Sequence, residues 1–286
     1  MSDSIVTSRK EQRISSRDGS QLHVVSWLPE TAPRGVVVIV HGFNSHSAYY
    51  PWVAEQLIGA GLAVYAFDLR GRGRSEGERY YIESFQEYQD DVHAVVTLAR
   101  SRTPGLPIYL LGHSAGGVIS SVYALDHQSE LAGLICESFA FRVFAPDIAL
   151  TVLKGLSHVV PHTHVLRLNI DDFSRDPAVI AAMKADPEVR DEVQPTLTVA
   201  EMVRADERLE REFGSFHLPV LILHGDADKV TRPDGSRQFH AAAGSADKTL
   251  KIYEGHAHDL LNDVGRETVM ADITSWIETR LPVRIA

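Results

Sequence analysis

The chain has 286 residues, of which 44% are hydrophobic and 23% charged, and its formal net charge is −10. That length suits either one large α/β domain or a domain with an inserted subdomain, and the negative charge argues against a nucleic-acid partner. Because Cys136 is the single cysteine, it excludes an internal disulfide, and we predict a small buried core residue there. The polar N-terminus and the absence of a run near the ~18 apolar residues of a membrane span predict a cytoplasmic protein.

Short runs rich in β-branched and apolar residues predict seven strands. The first follows the Asp18-Gly19 turn, and the second is a continuous apolar run, typical of a strand buried on both faces. The later runs end near Gly, Asp, His or Ser. The predicted strands are 21–29, 35–42, 62–71, 106–114, 131–138, 218–226 and 248–255.

Helical patterns lie between these strands. Residues 84–100 begin with a predicted capping box, Ser84 with Glu87, and continue with apolar residues at helical spacing. Residues 271–281 predict a C-terminal helix that covers the sheet. Strands that alternate with helices predict an α/β fold, with a mostly parallel sheet and helices on both faces.

One region breaks this alternation. Residues 139–216 contain no convincing strand, and helical patterns dominate there. We predict a helical cap over 139–216, inserted into an α/β core formed by 1–138 and 217–286.

The predicted cap carries two apolar stripes. Because apolar helix faces usually pack inward, we expect the first stripe to be buried against the core. A second hypothesis is that it lines a tunnel for a fatty chain or rests on a lipid surface, giving a peripheral membrane contact. The first stripe comprises Phe144, Ile148, Val152, Leu156, Val159 and Val160, and the second Met202, Val203, Leu209 and Phe213.

The stretch Gly112-His113-Ser114-Ala115-Gly116 fits the G-x-S-x-G pattern of a nucleophile elbow. The preceding run "PIYLL" predicts a strand and the following "AGGVISSVYALDH" a helix, which is the context that the motif requires. Glycines are needed on both sides because a Cβ would clash with neighbouring elements. The turn points the first amides of the helix at the serine hydroxyl, which predicts a nucleophilic Ser114.

A serine nucleophile needs a base, and the base needs an orienting acid. On this type of sheet the acid and then the histidine follow the serine in the chain. The predicted strand 218–226 delivers Asp226 and Asp228 to one loop, and the strand 248–255 delivers His256 and His258 to another. Spacing alone leaves both choices open.

The chain resembles the monoacylglycerol lipase/lysophospholipase family of α/β-hydrolases, close to the serine aminopeptidase-type hydrolases. The resemblance runs from about residue 12 to residue 281 and implies the α/β-hydrolase fold with a helical cap inserted before the late strands. It rests on the stretches "VIVHGFNSHSAYY", "YAFDLRGRGRSEGERYYIESFQEYQDDV", "YLLGHSAGG", "SRDPAVIAAMKADP", "HGDADKVTRPDGS" and "DKTLKIYEGHAHDLLND".

The resemblance implies Asp228 as the acid and His258 as the base, each the fourth residue of its G-x-x-D or G-x-x-H stretch. It implies that the backbone amides of Phe43 and Ala115 form the oxyanion hole. Two features depart from the family pattern. Ala115 stands where many members have methionine, and the stretch 44–50 lacks the Glu and Arg that help mammalian members to bind the glycerol head.

The predicted function is therefore hydrolysis of carboxylic esters through an acyl-enzyme, on a monoacylglycerol or a similar small lipid ester with an apolar acyl chain. No metal or organic cofactor is expected. Alternatives are a carboxylesterase on short-chain, aryl or phthalate-type monoesters, amides or thioesters, and a non-catalytic ligand receptor.

Three further groups of residues suggest other sites. His158, His162 and His164 could suggest a metal site, but there is no nearby carboxylate to complete it, so we expect polar cap residues. The arginines Arg70, Arg72 and Arg74 could suggest an anion site, but the glycines among them favour a structural loop. Asp68 precedes the serine, which is the wrong order for the acid.

Overall fold

The computed structural model describes residues 8–144 and 147–282. Its strands are β1 (Ser8–Ser15), β2 (Gln21–Leu28), β3 (Gly35–Val40), β4 (Leu62–Phe67), β5 (Ile108–His113), β6 (Gly133–Glu137), β7 (His164–Leu166), β8 (Gln194–Pro195), β9 (Val220–Gly225) and β10 (Lys248–Tyr253). Eight of them form one sheet in the order β1-β2-β4-β3-β5-β6-β9-β10. The pairs β1-β2 and β2-β4 are antiparallel and the other neighbours are parallel. This confirms the predicted, mostly parallel sheet.

Helices cover both faces of this sheet. Alternate residues of β3 illustrate the two cores: Val36 and Val38 belong to the core on one face of the sheet, while Val37 and Ile39 belong to the core on the other face. Strands buried on both faces explain the continuous apolar runs of the sequence. The helices are α1 (Pro51–Gly59), α2 (Phe85–Arg102), α3 (Ala115–Asp126), α4 (Asp147–Leu156), α5 (Pro177–Ala185), α6 (Thr196–Glu212), α7 (Pro233–Ala242) and α8 (Arg266–Glu278).

Strand β1 was not predicted. It lies at the edge of the sheet, where β2 is its only pairing partner among the described residues, and it is mostly exposed. Its sequence SRKEQRIS is therefore polar rather than alternating. Charged edge strands are common because they discourage pairing with other chains. The sequence pattern of such a strand therefore resembles that of a polar tail.

The capping box predicted at Ser84 is wrong. Ser84 precedes α2, but its side chain makes no capping hydrogen bond. The Glu87 carboxylate instead accepts a hydrogen bond of 2.8 Å from the Glu83 amide and lies 2.9 Å from Arg70. The buried guanidinium thus attracts the carboxylate that a capping box would use.

The region between β6 and β9 is mainly helical, as predicted, but it is not free of strands. The short strands β7 and β8 pair antiparallel. Arg72 secures this region to the core, since its buried guanidinium lies 2.6 Å from the Gln194 side chain, 3.3 Å from Glu192 and 2.9 Å from the Tyr88 hydroxyl. A two-residue strand that depends on such distant partners leaves no periodic pattern in the sequence.

The inward packing expected for the first apolar stripe is wrong. Phe144, Ile148, Val152 and Leu156 are 62%, 77%, 56% and 49% exposed. Helix α4 is apolar on two sides, and the side that carries Leu150 and Leu153 faces an internal cavity. The i, i+4 row of the stripe therefore lies on the outer surface.

None of the helices in the described part of the chain combines the length and the apolar character that a membrane span requires.

Candidate active site

Ser114 occupies the sharp turn between β5 and α3. Its backbone has φ +54° and ψ −119°, a conformation that L residues rarely adopt. The glycines around it allow close packing, because a Cβ at Gly112 would lie 2.4 Å from the Gly116 carbonyl oxygen, and one at Gly116 would lie 2.1 Å from that of Val40. The turn thus places the hydroxyl above the end of the sheet.

Three side chains from distant strand ends form a hydrogen-bonded chain. The Ser114 Oγ lies 2.9 Å from Nε2 of His258, and Nδ1 of His258 lies 2.7 Å from Oδ2 of Asp228. All three side chains are buried. Since Nδ1 faces a carboxylate, Nε2 is the nitrogen that can accept the serine proton.

Asp228 is held by its own loop as well as by the histidine. Its Oδ1 accepts hydrogen bonds of 2.7 and 2.9 Å from the amides of Val230 and Thr231. Burial by itself raises the pKa of Asp228, but the charges and hydrogen bonds of His258 and His224 outweigh burial and lower the pKa below its ordinary value. The carboxylate is therefore ionised across the neutral range.

The two alternatives left open by the sequence lie outside this chain of hydrogen bonds. Asp226 is exposed, and its carboxylate accepts a hydrogen bond of 2.6 Å from the Gly255 amide. His256 lies 3.9 Å from Asp263. Both side chains therefore take part in local loop contacts.

The residues whose amides were suggested for an oxyanion hole, Phe43 and Ala115, lie near the serine. Ala115 is the first residue of α3, whose N-terminal amides carry partial positive charge. A Cβ on Gly42 would lie 2.8 Å from the Cβ of Ser114, so the loop that leads to Phe43 touches the serine. Phe43, Ser114 and Ala115 line the same cavity. This arrangement places two strand-end loops where a carbonyl oxygen could be bound.

A buried ionic cluster that the sequence analysis missed supports these loops. His113 contacts the Glu137 carboxylate, whose Oε1 accepts a hydrogen bond of 2.7 Å from the Leu260 amide. Burial lowers the pKa of His113, but the carboxylates of Glu137 and Asp259 more than offset this and raise the pKa to about 9. An imidazolium thus joins the strand before the serine to the loop after His258.

A second histidine also contacts the acid. The buried His224 has Nε2 3.1 Å from Oδ2 of Asp228, and its Nδ1 lies 2.7 Å from the Ser236 hydroxyl. His224 is the first residue of the stretch "HGDADKVTRPDGS", but the sequence analysis assigned it no role. The i, i+4 spacing to Asp228 could have suggested it only if the strand end at Gly225 were already known.

The sequence matches the family Hydrolase_4 (serine aminopeptidase, S33) over residues 31–265. The chain belongs to this serine aminopeptidase family. The match confirms the resemblance seen in the motifs. The chain is an α/β-hydrolase of the esterase/lipase type, homologous to monoacylglycerol lipases.

Several relatives in this serine aminopeptidase family match the chain over most of their own length. It is 33% identical over 279 residues to the monoacylglycerol lipase of Mycolicibacterium smegmatis, covering 97% of this chain and 100% of that one. The human monoglyceride lipase is 31% identical over 268 residues, covering 92% and 88%. The crystal structure of the Paleococcus ferrophilus monoacylglycerol lipase superposes with a TM-score of 0.82 at 29% identity, covering 91% and 99%. These matches confirm the α/β-hydrolase fold.

A largely apolar cavity of about 360 Å³ opens at Ser114 of this serine aminopeptidase-family chain. Its walls come from the loop after β3, the turn after β6, helices α4 and α6, and the segment after β7. The volume falls within the range of small-molecule sites. The residues that line it include Phe43, Ala115, Ala140, Val143, Phe144, Leu150, Leu153, Val165, Leu168, Val199, Met202, Val203, Asp206 and Val230.

His162 and Asp68, which the sequence also singled out, have partners outside the hydrogen-bonded chain of the candidate active site. His162 lies 2.8 Å from Glu78, and none of the side-chain clusters with metal-ligand spacing in the described residues includes His158, His162 or His164. Asp68 accepts hydrogen bonds from two loop amides, at 2.7 and 2.8 Å. These contacts favour structural roles for them.

Proposed function

We propose that this protein hydrolyses lipid-like carboxylic esters, monoacylglycerols foremost, through an acyl-enzyme on Ser114. The observation that carries the proposal is the chain of hydrogen bonds from Ser114 to His258 and Asp228, which opens directly into an apolar cavity. The cavity is polar at the reacting serine and apolar elsewhere, which matches an ester with a hydrocarbon acyl chain.

In the first half-reaction the Ser114 oxygen attacks the ester carbonyl carbon while Nε2 of His258 takes the hydroxyl proton. Asp228 keeps the imidazole oriented and stabilises its cation. The negative charge that develops on the carbonyl oxygen is stabilised by the amides of Phe43 and Ala115, each worth about 3 kcal/mol in related oxyanion holes. His258 then gives the proton to the leaving alcohol, and the acyl group remains on Ser114.

In the second half-reaction water attacks the acyl-enzyme. His258 removes a proton from the water, and the collapse of the intermediate releases the carboxylic acid and returns the proton to the Ser114 oxygen. Ester and water are consumed, alcohol and acid are formed, and the enzyme is regenerated.

The relatives named monoacylglycerol lipases support glycerol as the leaving alcohol, although the loop after β3 lacks the charged pair expected for the glycerol head. In this chain His46 and Tyr49 of that loop instead contact Asp186, each at 2.8 Å. Glycerol recognition would therefore rest on polar contacts other than that pair.

A chain-length series tests the substrate assignment. We expect kcat/KM for p-nitrophenyl esters to rise from acetate toward medium and long chains, because each buried methylene contributes about 0.8 kcal/mol of apolar transfer. We also expect hydrolysis of 1- or 2-monoacylglycerols in the same preparation. A sharp optimum at acetate or butyrate, without monoacylglycerol turnover, would favour the short-chain carboxylesterase instead.

We further propose that the exposed stripe on α4 contacts a lipid surface. Phe144 is 62% exposed and also lines the cavity, so the apolar outer surface continues into the acyl site. Val165 of β7 is 46% exposed and also lines the cavity, so it too joins the outer surface to the acyl site. An amphipathic helix beside the cavity would rest on the surface that holds the substrate.

Replacement of an outer α4 residue should reduce binding to vesicles. Because Ile148 is 77% exposed, Ile148→Asp should leave folding intact and lower the fraction bound to phosphatidylcholine vesicles at least about tenfold, through lost apolar burial and an added charge. Val264→Asp is the matched control, since Val264 is 54% exposed and lies outside α4. Co-sedimentation measures both, and equal binding of both variants and the wild type contradicts the proposal.

A further inference from the structure

The cavity at Ser114 has a carboxyl group on an otherwise apolar helix face. Val199, Met202, Val203 and Asp206 follow the i, i+3, i+4, i+7 spacing of one face of α6, and all four line the cavity. Asp206 lies about 10 Å along the helix axis from Val199, at a rise of 1.5 Å per residue. From α4, Leu150 and Leu153 line the same cavity. A hydrocarbon chain in this space therefore passes a polar group.

One oxygen of the Asp206 carboxyl, Oδ1, is buried without a hydrogen-bond partner among the described residues. Burial raises the pKa of Asp206 well above the ordinary value; Arg142 opposes the shift, while Glu207 and Glu210 add to it. Arg142 is itself engaged, 2.7 Å from Glu210. The raised pKa favours the protonated carboxyl, which has one hydroxyl donor and one carbonyl acceptor.

Two other polar residues of the cavity wall are paired with each other. Asn169 donates a hydrogen bond of 2.9 Å to Asp172, so these two side chains satisfy each other. A fully apolar acyl chain against Asp206 would leave its carboxyl unpaired and shut off from water, which costs binding free energy. A chain that carries an oxygen at the matching depth would remove that cost.

We propose that Asp206 is a specificity-determining residue that hydrogen-bonds an uncharged oxygen, a hydroxyl or a carbonyl, on the substrate's acyl chain. The preferred substrates are then esters of oxygenated fatty acids rather than of plain alkanoic acids. This inference rests on the proposed function, in that it takes the cavity to hold the acyl group. A site that hydrogen-bonds a substrate hydroxyl discriminates strongly against the analogue that lacks it.

A positional series of hydroxy esters tests the inference. The substrates are p-nitrophenyl decanoate and its monohydroxy derivatives, with the hydroxyl moved one carbon at a time. We expect wild-type kcat/KM to peak at one position, about tenfold above decanoate. Asp206→Leu should abolish the peak and favour decanoate, whereas Asp206→Asn, which keeps a donor and an acceptor, should retain it.

Glu207→Leu is the matched control. Glu207 carries the same type of side chain at the next position, but it contacts Lys154 and does not line the cavity. The positional preference should be unchanged in this variant. Asp206→Ala provides the same comparison as Asp206→Leu if leucine overfills the site, and thermal melts confirm that each variant is folded.

The outcomes separate this inference from the function on which it rests. Ser114-dependent hydrolysis of decanoate with no positional peak, or with equal rate changes for all esters in Asp206→Leu, overturns the role of Asp206 and leaves the esterase intact. An absence of Ser114-dependent hydrolysis of every ester overturns the proposed function and this inference with it.

Discussion

Ser114→Ala is expected to lower kcat for ester hydrolysis at least about 10⁴-fold and to leave the free energy of unfolding nearly unchanged. The Oγ is the atom that would bond to the acyl carbon, so its loss removes covalent catalysis and leaves only binding and the oxyanion amides. Alanine can take the backbone conformation that serine already tolerates at φ +54°. Steady-state kinetics on a p-nitrophenyl ester and a urea titration measure the two effects.

Ser120→Ala is the matched control. Ser120 lies on α3, six residues after Ser114, and its buried hydroxyl has no hydrogen-bond partner among the described residues. Its removal should leave both activity and stability close to wild type, because no hydrogen bond is lost. If Ser114→Ala kept its activity within tenfold of the wild type, the covalent mechanism would be wrong.

Gly116→Ala is expected to be the most damaging of the conservative substitutions. Its Cβ would lie 2.1 Å from the carbonyl oxygen of Val40 and 2.5 Å from that of His41. Both atoms are backbone, and Val40 is in β3 at the centre of the sheet, so neither can move without disturbing the strand pairing. We expect a loss of about 4 kcal/mol or more in the free energy of unfolding.

Gly155→Ala provides the comparison for this substitution. Gly155 is an exposed residue of α4, and a Cβ there would meet no atom within 4 Å. Alanine should stabilise the helix by up to about 1 kcal/mol. Thermal melts distinguish the two, and a Gly116→Ala protein that melts within a few degrees of the wild type would show that the elbow is not packed as described.

The sequence was most informative where one local pattern decides the structure. Strand β3 is a run of small and β-branched residues because both of its faces are buried, and its position was predicted closely. The elbow at Ser114 was predicted because its glycines reflect contacts with adjacent elements. Strand β1 was missed because an exposed edge strand has no apolar face, and β7 and β8 were missed because their pairing depends on distant residues.

In the candidate active site, too, local patterns were predicted from the sequence and contacts between distant residues were not. Strand-end spacing narrowed the acid and the base to two residues each, and the family resemblance implied Asp228 and His258. The packing of β9 and β10 brings these two side chains within 2.7 Å of each other. His224 lies in a quoted family stretch, yet nothing in the sequence predicted its contact with Asp228. Helix α4 was predicted to be apolar, yet the sequence could not tell which of its two apolar sides faces the cavity.

Covalent labelling tests the central claim most directly. A fluorophosphonate probe reacts with a serine whose proton is removed by a neighbouring base, and digestion followed by mass spectrometry locates the adduct. We predict one adduct per chain, on the peptide containing Ser114, and much slower labelling in Asp228→Asn. Inactivation with the adduct on another residue, or a wild-type protein that hydrolyses esters and leaves Ser114 unlabelled, would contradict the account.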